Sequence, residues 1–426
     1  MAASCRFFIR STKFYARNIP YWNTADFSAS LPCEKIRHMG IFKRVIVGLV
    51  ALIVLACIGL WASGNVHILY GIRKTYFVGK KNPDIDDKPY FDVRKVAAGS
   101  PRATLLSAYY NTMALLPSEK AWSDSMGTTA WLVYRQDSLL FEGYNESDAT
   151  TLSNSFSMAK SITSVLVGKA LEEGFIESFD DRVGEYLDDY NSGMDTLLTI
   201  RHLLEMTSGI PFGESYSSPL GYMAKSYYGK NLTAATLEYH VQKKPGTFWA
   251  YEGGNTVLLG MILQKATGMS VSDYCSSRLW GPIGAEQDAF WNLDDAEGIE
   301  KTFSGFYASA RDFARLGLLF MHEGILNGET VISPEWVRQS LVPNGVPDED
   351  GEPCNWYGWQ WWRGEHEGHP FFACRGLRGQ YVVGIPDLDL VMVRLGHKQS
   401  KERIEHMPAD LFRYIETTIR LSSVNA

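Results

Sequence analysis

The chain has 426 residues with 41 basic and 48 acidic side chains, a formal charge of −7. At 45% apolar and 21% charged residues the composition excludes a disordered or collagen-like chain. The acidic balance argues against nucleic acid as a partner, and six cysteines over this length do not make a disulfide scaffold. Length permits two or three average domains, or one large domain with appendages.

The charge is uneven. Residues 1–44 form a basic N-terminal segment with eight Lys/Arg against Asp26 and Glu34, a balance of +6 that leaves −13 on the remainder. Directly after Lys43-Arg44, Val45 to Ala62 is free of charge. As a helix it spans about 27 Å, near the hydrocarbon thickness of a bilayer. It lacks the polar stripe of an ordinary surface helix, so a transmembrane or signal-anchor helix is predicted over 45–62. Basic residues ahead of it hold the N-terminus on the cytoplasmic side, which places the rest outside the cytoplasm, in the periplasm if the source is bacterial. An uncleaved anchor is the preferred reading. Two alternatives stay open: cleavage at the small residues Ala62-Ser63-Gly64, giving an exported protein, or a lipoprotein through Cys57. Met39-Gly40-Ile41-Phe42-Lys43-Arg44 with the apolar run reads as a complete bacterial export signal. Residues 1–38 are therefore expected to be a spurious extension, although their acid-free start also has the character of a mitochondrial presequence.

Residues 63–125 are expected to be a connector and the start of the extracytoplasmic region, with Lys80-Lys81-Asn82-Pro83-Asp84 solvated. From 126 to 426 the patterning is that of one folded domain. Ala130–Tyr134 and Leu139–Tyr144 read as a hairpin around Arg135-Gln136-Asp137-Ser138. Ile162, Val165, Leu166, Ala170 and Leu171 recur at helical spacing and stop near Gly174. The middle, about 180–340, is rich in helix. Tyr357–Trp362, Phe371–Cys374, Gln380–Ile385 and Leu390–Leu395 read as strands, with Pro386-Asp387-Leu388-Asp389 turning between the last two. A final helix is predicted to align Ile404, Met407, Leu411, Ile415 and Ile419. Strands at both ends with helices between them predict an α+β fold, an antiparallel sheet flanked by helices with an inserted helical region.

The chemistry starts at Ser157-Met158-Ala159-Lys160, the only Ser-x-x-Lys in the chain. Residues i and i+3 share a helix face, so the amine can sit beside the hydroxyl. A serine hydroxyl is a poor nucleophile until a neighbour takes its proton, and a helix N-terminus favours negative charge developing there. Alone, the pair is weak.

Context strengthens it. Thr199-Ile200-Arg201-His202-Leu203-Leu204-Glu205-Met206-Thr207-Ser208-Gly209, Pro245-Gly246-Thr247-Phe248-Trp249-Ala250-Tyr251, Ser309-Ala310-Arg311-Asp312-Phe313-Ala314-Arg315-Leu316-Gly317 and Gly376-Leu377-Arg378-Gly379-Gln380 follow in order. With the Ser-x-x-Lys they resemble, over about residues 125–425, the β-lactamase-related serine hydrolases: class C β-lactamases, penicillin-binding carboxypeptidases, esterases and 6-aminohexanoate-dimer hydrolases. The resemblance implies a β-lactamase/transpeptidase-like fold and an acyl-enzyme mechanism with neither metal nor cofactor. It gives Ser157 the role of nucleophile. Lys160 would hold a proton and favour the phenolate of Tyr251, which would act as general base and later protonate the leaving group. The backbone N–H groups of Ser157 and Leu377 would form the oxyanion hole.

Two departures shape the substrate expectation. Tyr251-Glu252-Gly253 stands where many such β-lactamases have Tyr-x-Asn, so a side-chain amide is missing unless Asn255 reaches in; Glu252 is a second candidate for placing water or substrate. Cys374-Arg375-Gly376 replaces Lys-Thr-Gly, which leaves Arg375 to supply positive charge with different geometry beside Gly376. Both changes resemble the 6-aminohexanoate-dimer hydrolase and esterase branch, so a small-molecule ester or amide substrate is expected. A β-lactamase or D-Ala-D-Ala carboxypeptidase is the alternative, and a non-catalytic, membrane-anchored binding or sensor module is the rival from another class. His366-Glu367-Gly368-His369 lacks the spacing of a zinc helix and reads as a polar loop. His202 reads as structural. Cys275, Cys354 and Cys374 leave either one pair or none.

Overall fold

The computed structural model describes residues 33–326 and 328–423; residues 1–32, most of the extension read as spurious, lie outside them. Helix α1 (Cys33–Ala62) contains the apolar run. Its stretch Gly40–Ala62 is long and apolar enough to cross a bilayer, and none of its most apolar window is buried in protein.

The remainder is built on a six-stranded antiparallel sheet. Its strands are β1 (Thr128–Arg135), β2 (Ser138–Tyr144), β3 (Trp362–His366), β4 (His369–Gly376), β5 (Gln380–Ile385) and β6 (Leu390–Gly396), in the spatial order β2-β1-β6-β5-β4-β3. Chain ends thus meet at the sheet centre, where β6 pairs with β1 through registers such as Val393↔Leu132. Alternation sends Leu132 and Tyr134 into one core and Trp131 and Val133 into another, so β1 is buried on both faces. One face carries α2 (Met158–Glu172) and α4 (Ala310–Met321), with α3 (Gly253–Thr267) packed behind α2. The other carries α5 (Ala409–Ser422), whose Leu411, Tyr414 and Ile415 are fully buried. A smaller four-stranded sheet orders Val93–Val96, Ala289–Asn292, Phe306–Ala308 and Ser153–Asn154, and its last strand runs directly into Ser157.

The α+β architecture and the hairpin agree with the sequence reading; three local expectations do not. Tyr357–Trp361 is not a strand: Gln360 takes φ 65° and breaks the extended run, so β3 starts only at Trp362. The aromatic alternation there reflects burial in two different cores, with Trp359 and Trp361 in one and Tyr357 in the other. Ile404 and Met407 precede the final helix, in the two-residue strands Arg403–Ile404 and Met407–Pro408, because Pro408 sets the helix start. The stretch after α1 is ordered rather than a loose connector. It forms a helix at His67–Lys74, buries His67, Ile85, Phe91 and Val96, and ties Lys80 to Asp86 and Asp87.

Candidate active site

Ser157 caps the N-terminus of α2. The turn into it is held by its own side chains: the Phe156 N–H donates to Asn154 Oδ1 (2.8 Å), and Ser155 Oγ donates to the Phe156 carbonyl (3.0 Å). Phe156 sits at φ 45°, a region that costs a bulky residue about 1–3 kcal/mol. Its ring is 3% exposed, and that burial helps hold the strained turn that presents the serine.

Lys160 lies one turn on and is fully enclosed. Its Nζ donates to Ser157 Oγ (3.1 Å) and to the Phe303 carbonyl (3.2 Å). Among the described residues no carboxylate pairs with it, although desolvating an unpaired amine is costly. Tyr251 arrives on the extended segment before α3, with its ring against Tyr357 and Trp362 (centroids 5.9 and 5.4 Å). Lys160 Nζ is 4.8 Å from the Tyr251 ring centroid. Among the described residues the Tyr251 hydroxyl makes no hydrogen bond to protein. Serine, lysine and tyrosine therefore converge from two distant stretches of chain. His202 helps to place the second stretch. It closes a capping box with Thr199 and packs its Nε2 beside Gly246, whose N–H donates to the Thr207 carbonyl (2.9 Å).

The opposite wall is the end of β4. A Cβ on Gly376 would lie 2.1 Å from the Ser155 carbonyl oxygen, so only glycine lets this strand end approach the serine turn. Leu377 then lines the same cavity as Ser157, and Gln380 Nε2 donates to its carbonyl (3.0 Å) to hold the turn. Among the described residues neither the Ser157 nor the Leu377 backbone N–H donates to a protein acceptor. Two free donors at one cavity suit an oxyanion.

The remaining candidates are placed differently. Arg375 stacks on Trp362 (3.8 Å to the centroid) and donates to the His406 carbonyl (3.1 Å); burial pushes its guanidinium down to about 10. It does not line the cavity in front of Ser157. Asn255 is fully buried, with Nδ2 against Met206 Sδ (3.4 Å), and is not brought to that cavity either. Glu252 faces a second, smaller cavity of about 280 Å³. Burial, reinforced by the Glu214 charge, raises its carboxyl to about 8, and its Oε2 has no partner among the described residues.

The glycine at 253 has a physical account. A Cβ there would meet Glu214 Oε2 at 3.2 Å, and that oxygen instead accepts the Gly253 N–H at 2.7 Å. Glu214 also takes the Tyr216 hydroxyl, and that hydroxyl faces Ser157. Tyr216 is 57% exposed. Burial, reinforced by the Glu214 charge, pushes that hydroxyl far above the usual phenol range, so it keeps the proton it donates to Glu214. A pair from the 210s loop thus occupies space that a side chain at 253 would need. Sequence reading missed Tyr216, because its Ser- and Gly-rich surroundings carry no periodicity. It also missed Gln360, which is 1% exposed and bridges Ser161 of α2, Thr256 of α3 and the Leu203 and Leu204 carbonyls.

Elsewhere, His366 and His369 flank a hairpin turn and face Glu416 (3.4 Å) and Asp387 (2.6 Å). Among the described residues no group of three or more His, Cys, Asp and Glu side chains is placed to hold a metal. Cys275, Cys354 and Cys374 are buried free thiols.

Comparison with known proteins places the chain in a family. The family model described as Beta-lactamase matches residues 118–412. The 6-aminohexanoate-dimer hydrolase of Paenarthrobacter ureafaciens is 26% identical over 302 residues, 66% of this chain and 75% of that protein. Among solved structures, a Bacillus anthracis protein provisionally named a 6-aminohexanoate-dimer hydrolase superposes with a TM-score of 0.66 at 22% identity, over 79% of this chain and 92% of that one. A family VIII carboxylesterase gives 0.59 at 16% identity, over 75% and 99%. At such identities the structural likeness speaks for the fold alone.

Proposed function

The chain belongs to the beta-lactamase family and is a hydrolase of that fold; on that premise we propose that it cleaves an ester or amide through an acyl-enzyme on Ser157. The observation that carries this reading is Lys160 Nζ at 3.1 Å from Ser157 Oγ, with the Tyr251 ring 4.8 Å from the same nitrogen. Ser157 Oγ attacks the carbonyl carbon while its proton leaves through Lys160 and Tyr251. The oxyanion of the tetrahedral intermediate is held by the Ser157 and Leu377 N–H groups. The carbon–oxygen or carbon–nitrogen bond then breaks, and the departing alcohol or amine receives that proton. Water next attacks the acyl ester, gives a proton to the same relay, and frees the acid with Ser157 restored. The Tyr216 hydroxyl gives its one proton to Glu214, so towards Ser157 its oxygen can only accept.

Arg375 is committed to Trp362 and His406, which leaves the cavity without the lysine and threonine that would grip a β-lactam carboxylate. This supports the ester or linear-amide reading over the β-lactamase one. The apolar α1 supports membrane anchoring through 45–62 with the hydrolase outside the cytoplasm. The test is a substrate panel: p-nitrophenyl butyrate, a linear 6-aminohexanoate dimer, nitrocefin and a D-Ala-D-Ala peptide. We expect hydrolysis of the ester or the linear amide and little nitrocefin turnover. Rapid nitrocefin hydrolysis with neither of the first two cleaved would overturn the assignment.

A further inference from the structure

The cavity in front of Ser157 holds about 590 Å³, and much of its wall is foreign to the catalytic cluster. Ile68 and Ile72, from the helix His67–Lys74, line it together with Met223, Tyr227 and Tyr228, with Phe303 near the serine. The helix is fastened in place, with His67 Nε2 2.9 Å from the Pro219 carbonyl and the Gly71 backbone against the Tyr228 ring. A pocket of this size with mostly apolar walls suits a ligand with an extended apolar part, more than a small zwitterionic dimer or a bicyclic lactam. Its polar rim includes Lys81 and Arg378 and no carboxylate.

The position of this wall along the chain adds a second observation. Only four residues of chain, Ser63 to Val66, separate Ala62, the end of the apolar helix, from His67, a reach of about 18 Å at most. The same segment exposes Tyr76 (64%) and Phe77 (81%) near the exposed Arg73 and Lys81. Exposed aromatics flanked by basic residues are the composition of a headgroup-level element.

We infer that the substrate is an amphiphile with a long acyl chain, taken from a membrane surface on which the segment 67–81 rests, its chain lying in the cavity between Ile72 and Tyr228 and its ester or amide carbonyl at Ser157. The inference rests on Ser157 being the nucleophile. The chemistry is that given above: the acyl carbon moves from the alcohol or amine to Ser157 Oγ and then to water. Each buried methylene raises kcat/KM about fourfold, so chain length reads the cavity directly.

The test uses the full chain in phosphatidylcholine vesicles with p-nitrophenyl acetate and p-nitrophenyl octanoate as probes. The octanoate is expected to exceed the acetate in kcat/KM by about tenfold or more. Ile72→Trp, at a half-open wall position that tolerates bulk, narrows the cavity and lowers the octanoate-to-acetate ratio by about tenfold; Ala224→Trp on the facing wall does the same. Phe77→Glu lowers turnover of the vesicle-borne octanoate more than that of the acetate. A preference for acetate, or a ratio untouched by both tryptophans, overturns the inference while Ser157→Ala still abolishes both activities. Residual wild-type rates in Ser157→Ala would instead sink the nucleophile assignment, and hydrolysis of neither ester would sink both.

Discussion

The two sides of Ser157 are built in different ways. On one side, Ser157 and Lys160 sit three residues apart on one helix, and Tyr251 comes in beside them on a segment fastened through His202 and Gly246. On the other side, the cavity is assembled from the 67–83 stretch, the 210s loop with the helix that follows it, and the turn after β4. The first side is anchored on a short-range, buried pair whose residue types declare its chemistry. The second joins distant pieces of ordinary composition. On the proposed mechanism, chemistry falls to the buried half, and substrate choice to the half in which composition can drift without disturbing the serine.

The sharpest way to break this comparison is to strike the buried half. Ser157→Ala should cut kcat on any cleaved ester by about 10³-fold or more, and Lys160→Ala should match it because the pair acts as a unit. Tyr251→Phe should cost about 10²- to 10⁴-fold in kcat with KM little changed, the signature of a lost proton-transfer group. An intact kcat in either Lys160→Ala or Tyr251→Phe would remove that residue from the relay. Gly376→Ala is the next largest: a methyl 2.1 Å from the Ser155 oxygen must part β4 from the serine turn, and about 10²-fold in kcat should go with the displaced Leu377 N–H. The substrate half gives a smaller effect. Tyr216→Phe should lower kcat/KM about tenfold and leave stability within about 0.5 kcal/mol, since the residue is exposed.

Two further variants probe stability. Gln360→Leu removes a side chain that bonds Thr256 and two carbonyls, leaving buried polar atoms unpaired, and should cost about 3 kcal/mol in denaturant unfolding. Glu252 gives a pH signature. Its carboxyl is held at about 8 against 4.5 in an exposed chain, so between those values the unfolded state ionises while the folded state keeps its proton. Stability is unaffected below about 4.5, falls as pH rises through the window, and levels off above about 8. Glu252→Gln should flatten that fall, measured as the Tm difference between pH 5 and pH 8. An equal fall in both proteins would assign the loss to other groups.

The legibility of the molecule in its sequence follows the same division. The hairpin β1–β2 was readable because alternation and a polar turn coincide, and α2 because its apolar spacing begins at the serine. Tyr357–Trp361 misled because aromatics divided between two cores imitate the alternation of a strand, and the φ of Gln360 leaves no trace in composition. Ile404 and Met407 misled because helical spacing was continued across Pro408. Tyr216, Glu214 and the wall at 67–83 were invisible for a different reason. Their roles arise only from tertiary approach, and a Ser-rich loop or a Lys-rich stretch reads the same whether it faces solvent or a cavity.

The most direct test is covalent. The full chain is treated with a fluorophosphonate, digested, and the modified peptide sequenced by mass spectrometry. The account predicts a single adduct on Ser157, absent from Ser157→Ala and formed much more slowly in Lys160→Ala. An adduct on another serine, or folded protein that stays unlabelled, would contradict it.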